Sequence, residues 1–399
     1  MEFRPLPDDE AGDRLFARYV QYAFAPNRGP DIDLDDDQPD PPHIRYGLYP
    51  ADGDEPVSIC SSYDFRTHLR GRVLPMGGVS TVATPPEHRR QGYVETMLRE
   101  LCREYRDDGT PLAALWPFEH PFYAQFGWAT ASRYLEWRGE PSALREAAAA
   151  DGSWERVGAD AWADLDAVHS TATEGQQLAL DRSEAWWRER QLRGWESDPY
   201  VYLWRDGDGE PGAYVAYRIE GDWGDRTFVV RSNHEAVDRV ALHNVLGFLA
   251  DHDSQVDAFA LRTAPDVPLH EMVDDPEALE CTLHAGPMVR LVDVPAALSA
   301  LTYPVDAQLT VALEDPLLSA VAGRYELTVT DGSATVEQVS ESVDSADATL
   351  GIGPFSQLVV GYRSAAELRT AGELEADDGT VETLDTLFPE RTPHLQEGF

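Results

Sequence analysis

Lysine is absent from this chain: across 399 residues all 32 basic side chains are arginine, set against 72 aspartates and glutamates. Without a single ε-amino group, Schiff-base chemistry on lysine is excluded. Cysteine is scarce, and Cys60, Cys102 and Cys281 are too widely spaced for a disulfide framework or a thiolate metal cluster. Long apolar runs are also missing. No stretch approaches the roughly twenty residues that cross a bilayer, and the opening MEFRPLPDDEAGDR lacks a basic-then-apolar leader pattern. The expectation is a cytoplasmic chain with no membrane partner.

Cationic excess is missing too. A formal net charge of −40 argues against nucleic acid as a partner, because phosphate backbones are bound by surplus positive charge. This all-arginine, carboxylate-rich composition resembles that of proteins from salt-in halophiles, haloarchaea above all. In molar salt the Debye length is about 3 Å, so such a surface does little long-range steering. The charge reads as an adaptation to salt rather than as a binding site.

What is present is ample apolar content, 42% with ten tryptophans, in a chain long enough for two or three domains. The most informative stretch runs from Val79 to Ser132. A β-branched run, Val79–Thr84, is stopped by Pro85 and Pro86, and Arg89-Arg90-Gln91-Gly92 then leads into a helical pattern. There Val94, Met97, Leu98, Leu101, Cys102 and Tyr105 fall on one face. Leu112–Trp116 reads as the next strand. A helix start carries unpaired N–H groups and partial positive charge, and a glycine at its entrance lets an anion come close, so this turn suits a pyrophosphate.

These residues carry a family resemblance. Val82-Ala83-Thr84 followed by Arg90-Gln91-Gly92-Tyr93-Val94 resembles the acetyl-CoA motif of GNAT N-acetyltransferases, with Val94 where the pattern has Gly or Ala. Phe118-Glu119-His120-Pro121-Phe122-Tyr123, with Phe126-Gly127-Trp128 beyond, is similar to the matching segment of the Eis-type (enhanced intracellular survival) acetyltransferases. The resemblance implies that Val82, Ala83 and Thr84 pair with the pantetheine arm. It implies that Arg90, Gln91, Gly92, Tyr93, Val94 and Glu95 hold the pyrophosphate and that Phe118 and Glu119 line the far side. Tyr123 becomes the proton donor to the leaving thiolate. The carboxylate of the last residue, Phe399, becomes the proton acceptor. From the residues alone, Tyr123 reads as a packing aromatic, the end TPHLQEGF as a frayed tail, and His88 and His120 as surface or turn histidines.

The fold implied is mixed α/β (α+β), with two tandem GNAT-like domains and a sterol-carrier-type (SCP2-like) C-terminal domain. Residues 1–135 are expected as the catalytic unit, 136–285 as a second unit lacking the pyrophosphate turn, with Asn233-His234-Glu235 in its place, and 286–399 as the third unit, opened by Met288–Leu298. Helices are expected at Leu144–Ala150, Ala161–Ala172, Ser183–Arg193 and about Glu235–Ala250, with Trp186 and Trp187 in the core. The resemblance implies acetyl-CoA as cosubstrate, no metal, an amine acceptor (aminoglycoside-, polyamine- or lysine-like) and a homo-oligomer, hexameric in the family. The alternative is a non-catalytic acetyl-CoA-binding or lipid-carrier scaffold.

Overall fold

The computed structural model describes residues 1–32, 39–144, 151–195, 197–339 and 346–399. Among these the strands form three sheets. The first has seven strands in the order Glu2–Pro5, Ile44–Tyr49, Ser58–Leu69, Arg72–Ala83, Leu112–Leu115, Met288–Leu291, Ala129–Thr130. Against it packs the helix Tyr93–Asp107, burying Met97, Leu98, Leu101, Cys102 and Tyr105, the face expected from the 3.6-residue period.

The two strands flanking that helix are parallel only from Met76–Val79 against Leu112–Leu115. Past Val79 they part, and Arg72–Ala83 bulges against Ser58–Leu69, its register shifting between Ile59 and Ser61 while Thr81 takes a positive φ of 52°. Ser80–Ala83 are thereby left without a strand partner on the Leu112–Leu115 side.

The second sheet runs Glu280–Ala285, Arg133–Gly139, Ala258–Thr263, Thr227–Val230, Pro211–Glu220, Tyr200–Asp206, Gly152–Arg156, with His234–Ala236 also paired to Pro211–Glu220. Thr227–Val230 is again parallel to the strand after the helix, so the first sheet's strand–helix–strand plan recurs. The third sheet runs Ser333–Val339, Gly323–Thr330, Ala307–Glu314, Ala348–Gly351, Leu374–Ala376 and carries the helices Ile352–Val360, Ala365–Thr370 and Asp378–Leu387.

Three expectations are revised, and a fourth lies almost wholly outside the described residues. Met288–Leu291 does not open the third unit: all four residues are buried, and the strand lies antiparallel between Leu112–Leu115 and Ala129–Thr130 in the first sheet. A strand buried on both faces needs neighbours on both edges, and the first sheet supplies them. The helix expected from Glu235 begins at Arg239, because Asp238 is extended (φ −156°) and caps it by accepting from the Ala241 N–H. His234–Ala236 is a strand instead. Ser183–Arg193 is a short α-turn, Glu184–Trp186, continued as a π-helix over Trp187–Gln191. Of the Ala-rich stretch, Leu144 ends a 3₁₀ turn and residues 145–150 lie outside the described residues.

The first and third sheets share one core. Arg290, on the strand Met288–Leu291, is fully buried with Asp315, to which its Nη2 donates, while Nη1 donates to the Phe126 carbonyl. Asp315 also accepts the Leu317 and Leu318 N–H groups at 2.8 Å. Gly127 is required here. Its φ is +83°, and a Cβ would sit 2.4 Å from Arg290 Nη1 and 2.6 Å from Ile352 Cγ2.

Removing one partner of a buried pair strands the other charge, at a cost of about 3–5 kcal/mol. Arg290→Met should therefore lower the denaturant midpoint clearly. Arg14→Met, which removes the exposed Arg14–Glu10 pair, should leave it unmoved. Equal midpoints for the two variants would refute the role given to Arg290.

Candidate active site

The turn expected to hold a pyrophosphate is shaped by backbone conformation rather than by side chains. Arg90 (φ 57°) and Gly92 (φ 77°) both take left-handed geometry. Gly92 is the N-cap of Tyr93–Asp107 and supplies no side-chain cap, so the first-turn N–H groups stay unclaimed. A Cβ at Gly92 would meet nothing within 4 Å, so space lies open beside it. Val94, the departure from the motif, is packed against the first core beside Tyr93. Exposed Arg90 lies in the turn, and Arg89 Nε donates to the Thr84 carbonyl at 3.0 Å, tying turn to strand. Gln91 donates to Glu87 O and accepts from the Tyr93 hydroxyl, both at 3.0 Å. Glu95 pairs with Arg99 on the helix flank.

Val82, Ala83 and Thr84 lie at the unpaired end of the bulged strand, and Ser58 Oγ lies 2.8 Å from Thr84 Oγ1. The residues present thus fit a nucleotide thioester: open strand backbone, a left-handed turn and an uncapped helix start.

Tyr123 sits in the short helix His120–Ala124 that follows the Leu112–Leu115 strand, 3% exposed. Phe118 and Phe122 meet its ring edge-on at 5.6 and 5.1 Å. Burial pushes the phenol above its ordinary pKa, so it stays protonated across the neutral range. Phe118 is 69% exposed and Glu119 is exposed beside it. His120 lies one turn before Ala124 with its Nε2 buried and unpartnered.

The chain end is anchored, not frayed. His394 N donates to Gln177 O at 2.9 Å, and Leu395 N donates to Ser132 Oγ at 3.3 Å. Gln396 Nε2 donates to His234 O at 3.2 Å. Trp116 Nε1, just past the Leu112–Leu115 strand, donates to the Glu397 carbonyl at 2.6 Å. Glu397 is buried against Arg182, whose Nε donates to Oε1 at 2.7 Å while Nη1 donates to the Tyr214 hydroxyl at 2.9 Å. The Phe399 ring completes an aromatic cluster, 4.9 Å from Phe65 and 6.0 Å from Tyr63, with Trp186 edge-on to both.

Trp116, Tyr63, Phe65, Ser132, Arg182 and Glu397 were not singled out from the sequence. Glu397 lies 215 residues from Arg182 and 281 from Trp116, so no local pattern joins them. The Trp116 bond brings the tail to the end of the strand from which the Tyr123 segment departs.

The second unit has a cleft of about 330 Å³ in the matching position, where Glu235, Ala236, Asp238 and Arg239 meet Thr263–Pro268. There the Asp238 carboxylate already occupies the helix start. A carboxylate at that spot disfavours a second anion there.

Arg182→Met should free the tail by leaving Glu397 buried and uncompensated. Carboxypeptidase should then release Phe399 well before the folded core unfolds, followed by mass spectrometry. Release no faster than from the unaltered chain would show that the pair does not hold the end.

The comparisons with known proteins agree with this architecture. The description "Acetyltransferase (GNAT) domain" matches residues 2–131 and again 178–291, and "Sterol carrier protein domain" matches residues 294–396. The N-acetyltransferase Eis of Mycobacterium tuberculosis is 28% identical over 370 residues, covering 88% of this chain and 87% of its own. An uncharacterized N-acetyltransferase of Streptomyces griseus is 28% identical over 345 residues, 81% of each chain. Among solved structures, a probable N-acyltransferase of Enterococcus faecalis aligns over the whole of both chains with a TM-score of 0.86 at 22% identity. Eis1 of Mycobacterium abscessus does so at 0.77 and 23%.

Proposed function

We propose that this chain, an Eis-type GNAT N-acetyltransferase, moves the acetyl group of acetyl-CoA onto an acceptor amine, with Tyr123 and the Phe399 carboxylate handling the two protons. The observation that carries this reading is the anchored chain end. A tail held by Trp116, Ser132 and Arg182 sets the Phe399 ring against Phe65 and Tyr63 of the first sheet, and its bond to Trp116 lies two residues before the Phe118–Tyr123 segment begins.

Acetyl-CoA supplies an activated thioester. Ser80–Ala83 offer unpaired backbone to its pantetheine arm, and the turn from Arg90 to Glu95 offers N–H groups to its pyrophosphate. The acceptor nitrogen forms a bond to the acetyl carbon, and the carbon–sulfur bond breaks. The amine gives up its proton to the Phe399 carboxylate, and the departing sulfur gains one from the Tyr123 hydroxyl. General acid and general base each contribute about 10² to 10⁴-fold in rate.

The raised pKa of Tyr123 shapes its role. Proton transfer from so weak an acid to a thiolate is uphill, so the hydroxyl acts first as a hydrogen-bond donor to the sulfur as charge gathers there. Because the group stays protonated, the Tyr123 limb should not appear in the pH–rate profile below pH ~10. The acceptor is an amine of the family's kinds, aminoglycoside-, polyamine- or lysine-like.

Thiol release from acetyl-CoA, measured in molar potassium chloride with a panel of primary amines, tests the reading. Tyr123→Phe should lower kcat about 10² to 10⁴-fold while acetyl-CoA binding is retained. Deleting Phe399 should cut kcat over a similar range, with the melting temperature checking the fold. Unchanged turnover after the deletion would remove the carboxylate from the mechanism and leave the enzyme standing. Acetyl-CoA binding without acetylation of any amine would favour a binding scaffold.

A further inference from the structure

A small cavity of about 80 Å³ opens beside the chain end, lined by Gly398 and Glu220 together with Arg190, Arg193, Arg218 and Arg231. Its sign runs against that of the whole chain, in which acidic residues outnumber arginines 72 to 32. Two of the four guanidinium groups are compensated. Arg231 reaches Glu220 at 2.9 Å, and Arg193 lies 3.8 Å from both Glu189 and Asp198.

The other two are not. Arg218 Nε donates to the Ser197 carbonyl at 3.1 Å. Among the described residues no carboxylate lies within the 4.0 Å ion-pair distance of either Arg190 or Arg218. Arg218 is packed against Gly194, where a Cβ would fall 2.0 Å from its Nη2. Arg190 Nη2 would lie 3.7 Å from a Cβ on Gly398. Burial, reinforced by the charge of Arg218, holds the Arg190 guanidinium below its ordinary pKa.

Two partly buried like charges facing one cavity are costly in a chain with carboxylates to spare. A ligand that brings its own negative charge removes that cost. We propose that the acceptor amine also carries a small anionic group, a carboxylate or equivalent oxyanion, which Arg190 and Arg218 bind while the amino group lies at the chain-terminal carboxylate. Planar guanidinium forks suit that group. This inference rests on the acetyl-transfer reading and narrows its acceptor from a purely cationic amine to an amino acid-like one.

The test compares kcat/KM for ω-amino carboxylates, from β-alanine through 4-aminobutyrate to 6-aminohexanoate, with alkylamines of the same length and with putrescine. The best amino carboxylate should exceed its matched alkylamine and putrescine by about tenfold or more, mostly through KM. In Arg190→Gln and in Arg218→Gln that ratio should fall toward one, whereas Arg190→Lys, which keeps the charge, should retain part of it. A wild-type preference for alkylamine or putrescine, or a ratio unmoved in both glutamine variants, overturns the proposal. If no amine is acetylated although acetyl-CoA binds, the acetyl-transfer reading fails by itself. The anion subsite is then judged by calorimetric titration with 4-acetamidobutyrate: binding that is weakened in Arg190→Gln supports it, and binding that is equal in the variant or undetectable in both overturns it.

Discussion

The buried contact between Arg182 and Glu397 is the constraint on which the candidate site depends. Both side chains are withdrawn from water, with 0% and 1% of their surface exposed. An ion pair removed from solvent survives only when good geometry and further hydrogen bonds offset desolvation. Here the guanidinium also donates to the Tyr214 hydroxyl and lies over the Trp187 ring at 4.6 Å. Arg182 and Tyr214 belong to the second unit, whereas Trp116 and Ser132, which hold the same tail, belong to the first. One short segment without regular structure thus joins two sheets, and its aromatic last residue fills a cluster that no local sequence could complete. Chain termini fray unless tied down; this one is tied at successive residues.

The first two units differ in how each caps the helix that follows its parting strands. Both place a helix start where two strands part. In the first, glycine caps the helix, leaves its N–H donors free and adopts a left-handed backbone that also opens the space around it. In the second, aspartate caps the helix and satisfies a donor from within the chain. The cap residue, glycine in one and aspartate in the other, is one of the differences between them. It decides whether the partial positive charge at the helix start is offered to a ligand or spent on the fold.

With lysine absent, every buried cation is a guanidinium, and its several donors are used to join distant segments. Arg70 donates to the carbonyls of Val359, Leu358 and Pro389, tying the hairpin of the first sheet to the third unit. Burial and the neighbouring Arg391 lower its pKa to about 10, which leaves it charged at neutral pH. Arg290 does the same between the first-sheet strand Met288–Leu291 and Asp315. A planar, multiply donating cation can satisfy several carbonyls at once, which a single ammonium serves less well.

Local order was readable from residue type alone. The helix Tyr93–Asp107 follows from apolar period, the left-handed turn at its start from Gly92 between a strand and that helix, and the unit order from resemblance at a few motifs. Periodicity and turn chemistry are properties of neighbouring residues, so a linear reading can find them. The strand Met288–Leu291 could not be assigned that way, since its alternation is silent about which sheet needs it. The same holds for the start of the helix at Arg239, where one cap overrode an apolar pattern that ran on from Glu235. The partners of Glu397 and the aromatic neighbours of Phe399 were decided only by tertiary structure. They lie hundreds of residues away, and burial, which makes their charges and rings matter, exists only once the sheets have packed.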